Sequence, residues 1–147
     1  MDWKKYTYLS QSDFLNDEVI ANPRPLLKVT LTAPASKIEV MGLVDSGTDS
    51  TLVHSSIAEA LFISRNTCRP AYVKGTGKKL GGVPGDVVGF HYSSLKVKYE
   101  GFEEIFELPV TFVDDLPVEM LLGQKDFFNC FDVKFSKNKG VFELARV

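Results

Sequence analysis

Hydrophobic and polar positions begin to alternate once Pro23 and Pro25 have broken the chain. Leu27, Val29 and Leu31 take every second place with Lys28, Thr30 and Thr32 between them, and Ile38 and Val40 alternate with Lys37 and Glu39. A period of two puts successive side chains on opposite faces of a strand. Met41-Gly42-Leu43-Val44 then runs apolar without interruption, which predicts a strand entering the core. Leu95-Lys96-Val97-Lys98-Tyr99 alternates cleanly, and Phe106, Leu108, Val110 and Phe112 alternate with Glu107, Pro109 and Thr111. Pro109 lacks an amide donor, so its strand is expected to be an edge at that point. Val133–Phe135 and Val141–Leu144 predict two closing strands around the turn-like Ser136-Lys137-Asn138-Lys139-Gly140.

Two stretches depart from the strand rhythm. Ser56-Ile57-Ala58-Glu59 has the spacing of a capping box, and Ile57, Ala58, Ala60, Leu61 and Phe62 supply an apolar face, which predicts a short helix. Gln124 to Phe131 predicts a second. Glycines at 75, 77, 81, 82, 85 and 89, bounded by β-branched and aromatic residues, predict a glycine-rich hairpin. Residues 1–22 show no clear period, yet Trp3, Tyr6, Tyr8, Phe14 and Leu15 are too apolar for a free tail. They are expected to form an N-terminal extension packed on a domain that occupies residues 23–147. The pattern as a whole predicts one mainly-β domain with two short helices, its sheet closed or nearly closed into a barrel.

Composition narrows the function classes. At 147 residues, 44% apolar and 24% charged, the chain has the make-up of an ordinary globular domain. A net charge of −2 argues against nucleic acid as a partner, since phosphate contacts need a basic surplus. No window approaches the roughly 18 apolar residues of a membrane span. Met1-Asp2-Trp3-Lys4-Lys5 does not open a signal peptide, so the expected location is the cytoplasm. Cys68 and Cys130 can pair, but a cytosolic chain keeps such thiols reduced, and neither lies in a metal-binding spacing.

The informative stretch is Leu43-Val44-Asp45-Ser46-Gly47-Thr48. An aspartate ends an apolar strand and is followed by a hydroxyl residue and a glycine. Glycine permits a tight turn, and Ser46 can hydrogen-bond nearby and hold the loop, so the carboxylate is presented on fixed backbone at the edge of the core. Alone, D-[S/T]-G arises by chance in roughly one chain in twenty of this length, and a plain turn between strands explains it equally well. A second feature follows 78 positions later (123 − 45): Val118-Glu119-Met120-Leu121-Leu122-Gly123 puts an apolar run directly before a glycine and a helix pattern.

The order of acid loop, helix, glycine-rich hairpin, β-meander, apolar-apolar-glycine and helix resembles the retropepsin family of aspartic peptidases, in particular its compact bacterial and archaeal members. The resemblance covers roughly residues 24 to 144. It implies a closed six-stranded acid-protease barrel with one or two short helices and one lobe per chain. Asp45 is then the catalytic carboxylate, and Ser46 and Gly47 orient its loop. Thr48 and Asp49 hold substrate, together with Gly75, Gly77, Gly81 and Gly82 of a mobile flap within Val73–Gly85. Leu121-Leu122-Gly123 is the structural signature that packs against the active-site loop. Asp49 and Thr51 fall where viral members carry Asp and Thr just beyond the triplet, while Ser46 stands where Thr is commoner, and Thr48 where retroviral members carry Ala.

Aspartic peptidases need two carboxylates sharing one proton, because like charges a few ångströms apart do not both ionise easily. This chain holds one D-[S/T]-G, since Asp114-Asp115-Leu116-Pro117 does not repeat it. The chemistry therefore implies a homodimer with Asp45 of each protomer on the two-fold axis. It implies a peptide or protein substrate and neither metal nor organic cofactor, with no nucleic-acid or membrane partner. Gly75-Thr76-Gly77-Lys78-Lys79 does not fit the phosphate-loop pattern, and Cys68, Cys130, His54 and His91 have no local nucleophile signature. His54 reads as a surface or capping residue. The alternative from another class is a catalytically silent peptidase-like fold that serves dimerisation or peptide binding.

Overall fold

The structure is a computed structural model and describes residues 1–10, 23–71 and 89–147. Its strands are β1 (Lys4–Thr7), β2 (Leu26–Ala33), β3 (Ser36–Val44), β4 (Leu52–His54), β5 (Arg69–Ala71), β6 (Gly89–Tyr99), β7 (Phe106–Val113), β8 (Met120–Leu122), β9 (Phe131–Ser136) and β10 (Val141–Arg146). Helices α1 (Ser55–Ala60) and α2 (Phe127–Cys130) are both short. The main sheet runs β2-β3-β8-β4-β7-β6-β5, and an added β2–β6 pairing closes its first six strands into a ring. The expected closed six-stranded, mainly-β barrel with two short helices is thus the observed architecture.

The alternation in sequence becomes the inside and outside of this barrel. Leu27, Val29 and Leu31 are fully buried, as are Leu95 and Val97 across the closing seam, where Leu31 faces Val97 and Val29 faces Tyr99. Pro109 falls where it costs no ladder bond. The β6–β7 register slips between Tyr92 and Leu95, and the parallel pairing of β7 with β4 starts only at Thr111. The edge expected at Pro109 is therefore a local break inside a paired strand. A cluster of rings fills one end, where Tyr99 packs edge-on against Phe127 and Phe131 with centroids 5.2 and 5.3 Å apart. Truncating any one of these buried rings to Ala is expected to cost about 3–5 kcal/mol.

β9 and β10 do not close the barrel. They form a separate three-stranded sheet, β1-β10-β9, in which Lys4 pairs with Leu144 and Thr7 with Val141. Tyr6 fastens this sheet to the barrel. Its ring stacks on Phe142 at 5.2 Å and its hydroxyl donates to the Glu100 carbonyl. Burial, and then the nearby Glu100 charge, push the phenol up to about 12. Gly101 must be glycine here, because φ is +91° and a Cβ would lie 2.6 Å from the Tyr6 hydroxyl.

Both predicted helices shift or shrink. The cap of α1 is His54 rather than Ser56: His54 ends β4 in extended geometry, and its Nδ1 accepts from the Ser56 amide at 3.1 Å. The second helix is only Phe127–Cys130, not Gln124 to Phe131. The amides of Gln124 and Lys125 are drawn away to the carbonyls of Thr48 and Asp49, each at 2.8 Å, and Phe131 already pairs with Arg146 in β9.

Candidate active site

Two connections cross at the heart of the barrel. β3 runs parallel to β8 and β4 parallel to β7, with β4 and β8 antiparallel between them. The β3-to-β4 connection therefore passes over β8, and the β7-to-β8 connection passes over β4. Asp45 is the first residue of the former, set directly after the buried Val44. Its amide donates to the Leu122 carbonyl at 3.0 Å, while the Val44 amide donates to Pro25 at 3.0 Å. The carboxylate thus hangs from backbone clamped on both sides.

The loop then folds around that carboxylate. The Gly47 amide donates to Asp45 Oδ1 at 2.9 Å, and the Thr48 hydroxyl donates to Oδ2 at 2.9 Å. Thr48 N closes the turn on the Asp45 carbonyl at 3.2 Å. Asp45 is half-buried, with Ser46 and Gly47 exposed beside it. Both acceptor oxygens are met by neutral donors, and among the described residues no cation pairs with this carboxylate. A carboxylate so held keeps a fixed direction and retains lone pairs for a water or a second acid.

Gly123 locks this loop from behind. A Cβ there would stand 2.5 Å from the carbonyl oxygens of both Ser50 and Thr48, so only glycine lets the strand after Leu122 come this close. Leu122 is fully buried, Leu121 is half-buried and pairs with Leu43 and Leu52, and the Gln124 side chain donates to the Ser46 carbonyl at 2.7 Å. The Lys125 amide holds Asp49 through its carbonyl. Thr51, 1% exposed, donates through Oγ1 to Asp126 Oδ2 at 2.9 Å.

The structure accordingly gathers Asp45, Ser46, Gly47, Thr48, Asp49, Leu121, Leu122 and Gly123 at one place. Gly75, Gly77, Gly81 and Gly82, and with them the flap, lie outside the described residues. Gln124, Lys125 and Asp126 were not among the expected site residues, whereas Thr51, like Asp49, matched a residue that viral retropepsins carry just beyond the triplet. The only signal of the three missed residues was position, just after the glycine of the second signature. Cys68 and Cys130 are free thiols, and among the described residues no three His, Cys, Asp or Glu side chains converge in a metal-like group. No helix among the described residues is long and apolar enough to cross a membrane.

No protein-family model matches the chain, and no curated protein matches it in sequence. Solved structures do. The crystal structure of a retropepsin-like aspartic protease from Rickettsia conorii superimposes over 98% of this chain and 95% of its own, with a TM-score of 0.53 at 13% identity. The retroviral protease-like domain of Ddi1 from Leishmania major covers 74% of this chain and 80% of its own, with a TM-score of 0.47 at 16% identity. The first of these likenesses gives the chain a retropepsin-like fold.

Proposed function

We propose that this chain, with its retropepsin-like fold, is an aspartic endopeptidase that hydrolyses peptide bonds as a homodimer. The carrying observation is the Asp45 carboxylate, fixed by the Gly47 amide and the Thr48 hydroxyl and left without a cation among the described residues. One such group per chain makes half a dyad. Two protomers related by a two-fold axis bring two Asp45 side chains together, and the pair then holds one proton between them.

In that state one carboxylate takes a proton from a water between the two acids, and its protonated partner donates to the scissile carbonyl oxygen. Water adds to the carbonyl carbon, and the tetrahedral intermediate collapses as the amine leaves with a proton. Ser46 and Gly47 hold the loop, and Thr48 and Asp49 lie beside the substrate backbone. An extended peptide is bound strand-fashion, with alternate side chains selected by pockets. The glycine-rich segment around Gly75, Gly77, Gly81 and Gly82 serves as the flap. The reaction needs no metal or organic cofactor, and the expected setting is the cytoplasm.

A diverse peptide library incubated from acidic to neutral pH with parent protein and with Asp45→Asn tests this reading. Cuts made by the parent alone, with a bell-shaped pH dependence, are the expected result. Cuts that survive in Asp45→Asn would remove the mechanism. Silence from both, with a dimer seen by sedimentation, would instead make the chain a peptide-binding or dimerisation module.

A further inference from the structure

A cavity of about 710 Å³ opens beside the Asp45 loop without including Asp45 itself. Its walls include Ser50 and Thr51 at the end of the acid loop, Lys125 and Asp126 just beyond Gly123, Arg69 with His91 on the paired strands β5 and β6, and Thr111 of β7. Arg69 and Lys125 are the notable members. Arg65 and Arg146 each hold a carboxylate, at 2.7 and 2.8 Å. Among the described residues, Arg69 and Lys125 hold none. Among the described residues Asp126 is the one acid in the lining, and its Oδ2 already accepts from Thr51. Two cations thus face one partly satisfied carboxylate in a concave site, on a chain whose net charge is −2. An anion entering there finds guanidinium and ammonium donors, with hydroxyls such as Ser50 in the same lining.

The place of the cavity says what carries the anion. Ser50 follows Asp45 by five residues (50 − 45), so the two are within roughly 18 Å along the backbone. A peptide bound as a strand advances about 3.3 Å per residue. The cavity is therefore reached by a substrate side chain within about five positions of the bond over Asp45. We propose that this cavity binds the acidic side chain of an extended peptide, so that Arg69 and Lys125 select acidic substrates. The inference rests on the peptide-binding part of the function proposed above and not on turnover.

The test uses fluorescein-labelled octapeptide mixtures with one position fixed as Glu or as Gln, titrated by anisotropy into Asp45→Asn protein. At one fixed position the Glu mixture binds about tenfold tighter than the Gln mixture, and Arg69→Gln with Lys125→Gln on the same background abolishes that difference. Both side chains are exposed, so the melting temperature is unchanged, which confirms that the variant is folded. Cys68 lines the cavity and Cys130 does not. Alkylation followed by mass spectrometry is therefore slowed by the Glu mixture at Cys68 alone.

Equal affinity for Glu and Gln at every position overturns the proposal, as does a preference that survives the double substitution. Protection of Cys68 by inorganic phosphate but not by the Glu mixture overturns the peptide assignment too, leaving a free-anion site. Cleavage of the same mixtures by the parent protein is scored separately. A Glu preference without cleavage counts against the peptidase reading only, and cleavage without a Glu preference counts against the acidic pocket only.

Discussion

Asp45 and Asp114 occupy matching places in the barrel and live in different chemistry. Each directly follows the buried valine that ends a central strand, Val44 of β3 and Val113 of β7, and each opens one of the two crossed connections. Asp45 accepts from an amide and a hydroxyl of its own loop. Asp114 instead takes a forked pair from Arg65, at 2.7 and 2.9 Å. Partial burial works to raise the Asp114 carboxyl, but bonds from Arg65 and Ser55, with the charge of Arg65, outweigh it and hold the group below its usual range. Position in a fold therefore does not by itself set an aspartate's chemistry. The charged fork from Arg65 holds Asp114 as an ion-paired carboxylate, whereas Asp45 meets only neutral donors among the described residues.

The largest effect is expected where the two loops should part most clearly. Asp45→Asn keeps the size of the side chain, its oxygen can still accept from Gly47, and the Thr48 hydroxyl can turn to accept from the new amide, so the melting temperature stays at the parental value. On the proposed mechanism, peptide cleavage falls by about 10³-fold or more, because the proton transfers of a dyad are lost. Asp114→Asn leaves kcat within a few-fold of parent. A large kcat loss in Asp114→Asn, read beside Asp45→Asn in one cleavage assay, would reverse the roles assigned to the two loops.

Next in size is Gly123→Ala. The added methyl meets two backbone oxygens that cannot turn aside, so the loop or the strand has to shift. Overpacking of this kind costs about 3 kcal/mol. Urea titration reads the loss, and activity falls with it because the Asp45 backbone hangs from the neighbouring Leu122 carbonyl.

The Asp45 loop was legible in sequence because three signals coincide within six residues: an apolar strand, an acid at its end, and a glycine that allows the turn. Strands β2, β3, β6 and β7 were legible because alternate residues face the core along much of their length, whereas the three-residue β4 and β8 carry too short a pattern to show. Long-range pairing was not. Lys4–Thr7 carries a four-residue alternation too short to stand out, and its partner lies at the other end of the chain. Gln124 and Lys125 look helical locally, but carbonyls 76 residues earlier (124 − 48 and 125 − 49) claim their amides. The Arg69–Lys125 cavity was invisible for the same reason, since β5, β6 and the segment after Gly123 meet only once the barrel closes.

A smaller effect is expected from the Asp114–Arg65 pair itself. Both side chains are partly exposed, at 34% and 46%, so the pair contributes on the order of 1 kcal/mol. Because folding depresses the Asp114 carboxyl, this contribution is present above the ordinary value of 3.8 and is lost as pH falls from there through the folded value. Parent and Asp114→Asn should differ in urea midpoint at pH 6 and converge at the acid end. A gap that widens on acidification would mean that the carboxylate is not the stabilised form.

The smallest effect belongs to His54, which sits between the two connections at the end of β4. Its Nδ1 accepts from the Ser56 amide and so caps α1 in the neutral form. Burial lowers the imidazole from 6.5, and the charges of Asp114 and Asp115 pull the other way without reversing it. The unfolded chain therefore binds this proton more readily than the folded one, so stability is complete above about 6.5 and declines as pH drops below it. His54→Asn retains a good capping group and removes the titration, so its melting temperature stays flatter than the parent's between pH 7.5 and 5.5. Asp114→Asn takes away one of the opposing charges, so an NMR titration should find His54 shifted further down in that variant. A shift upward would show that Asp114 acts on the imidazole through Ser55 and the helix cap rather than through its charge.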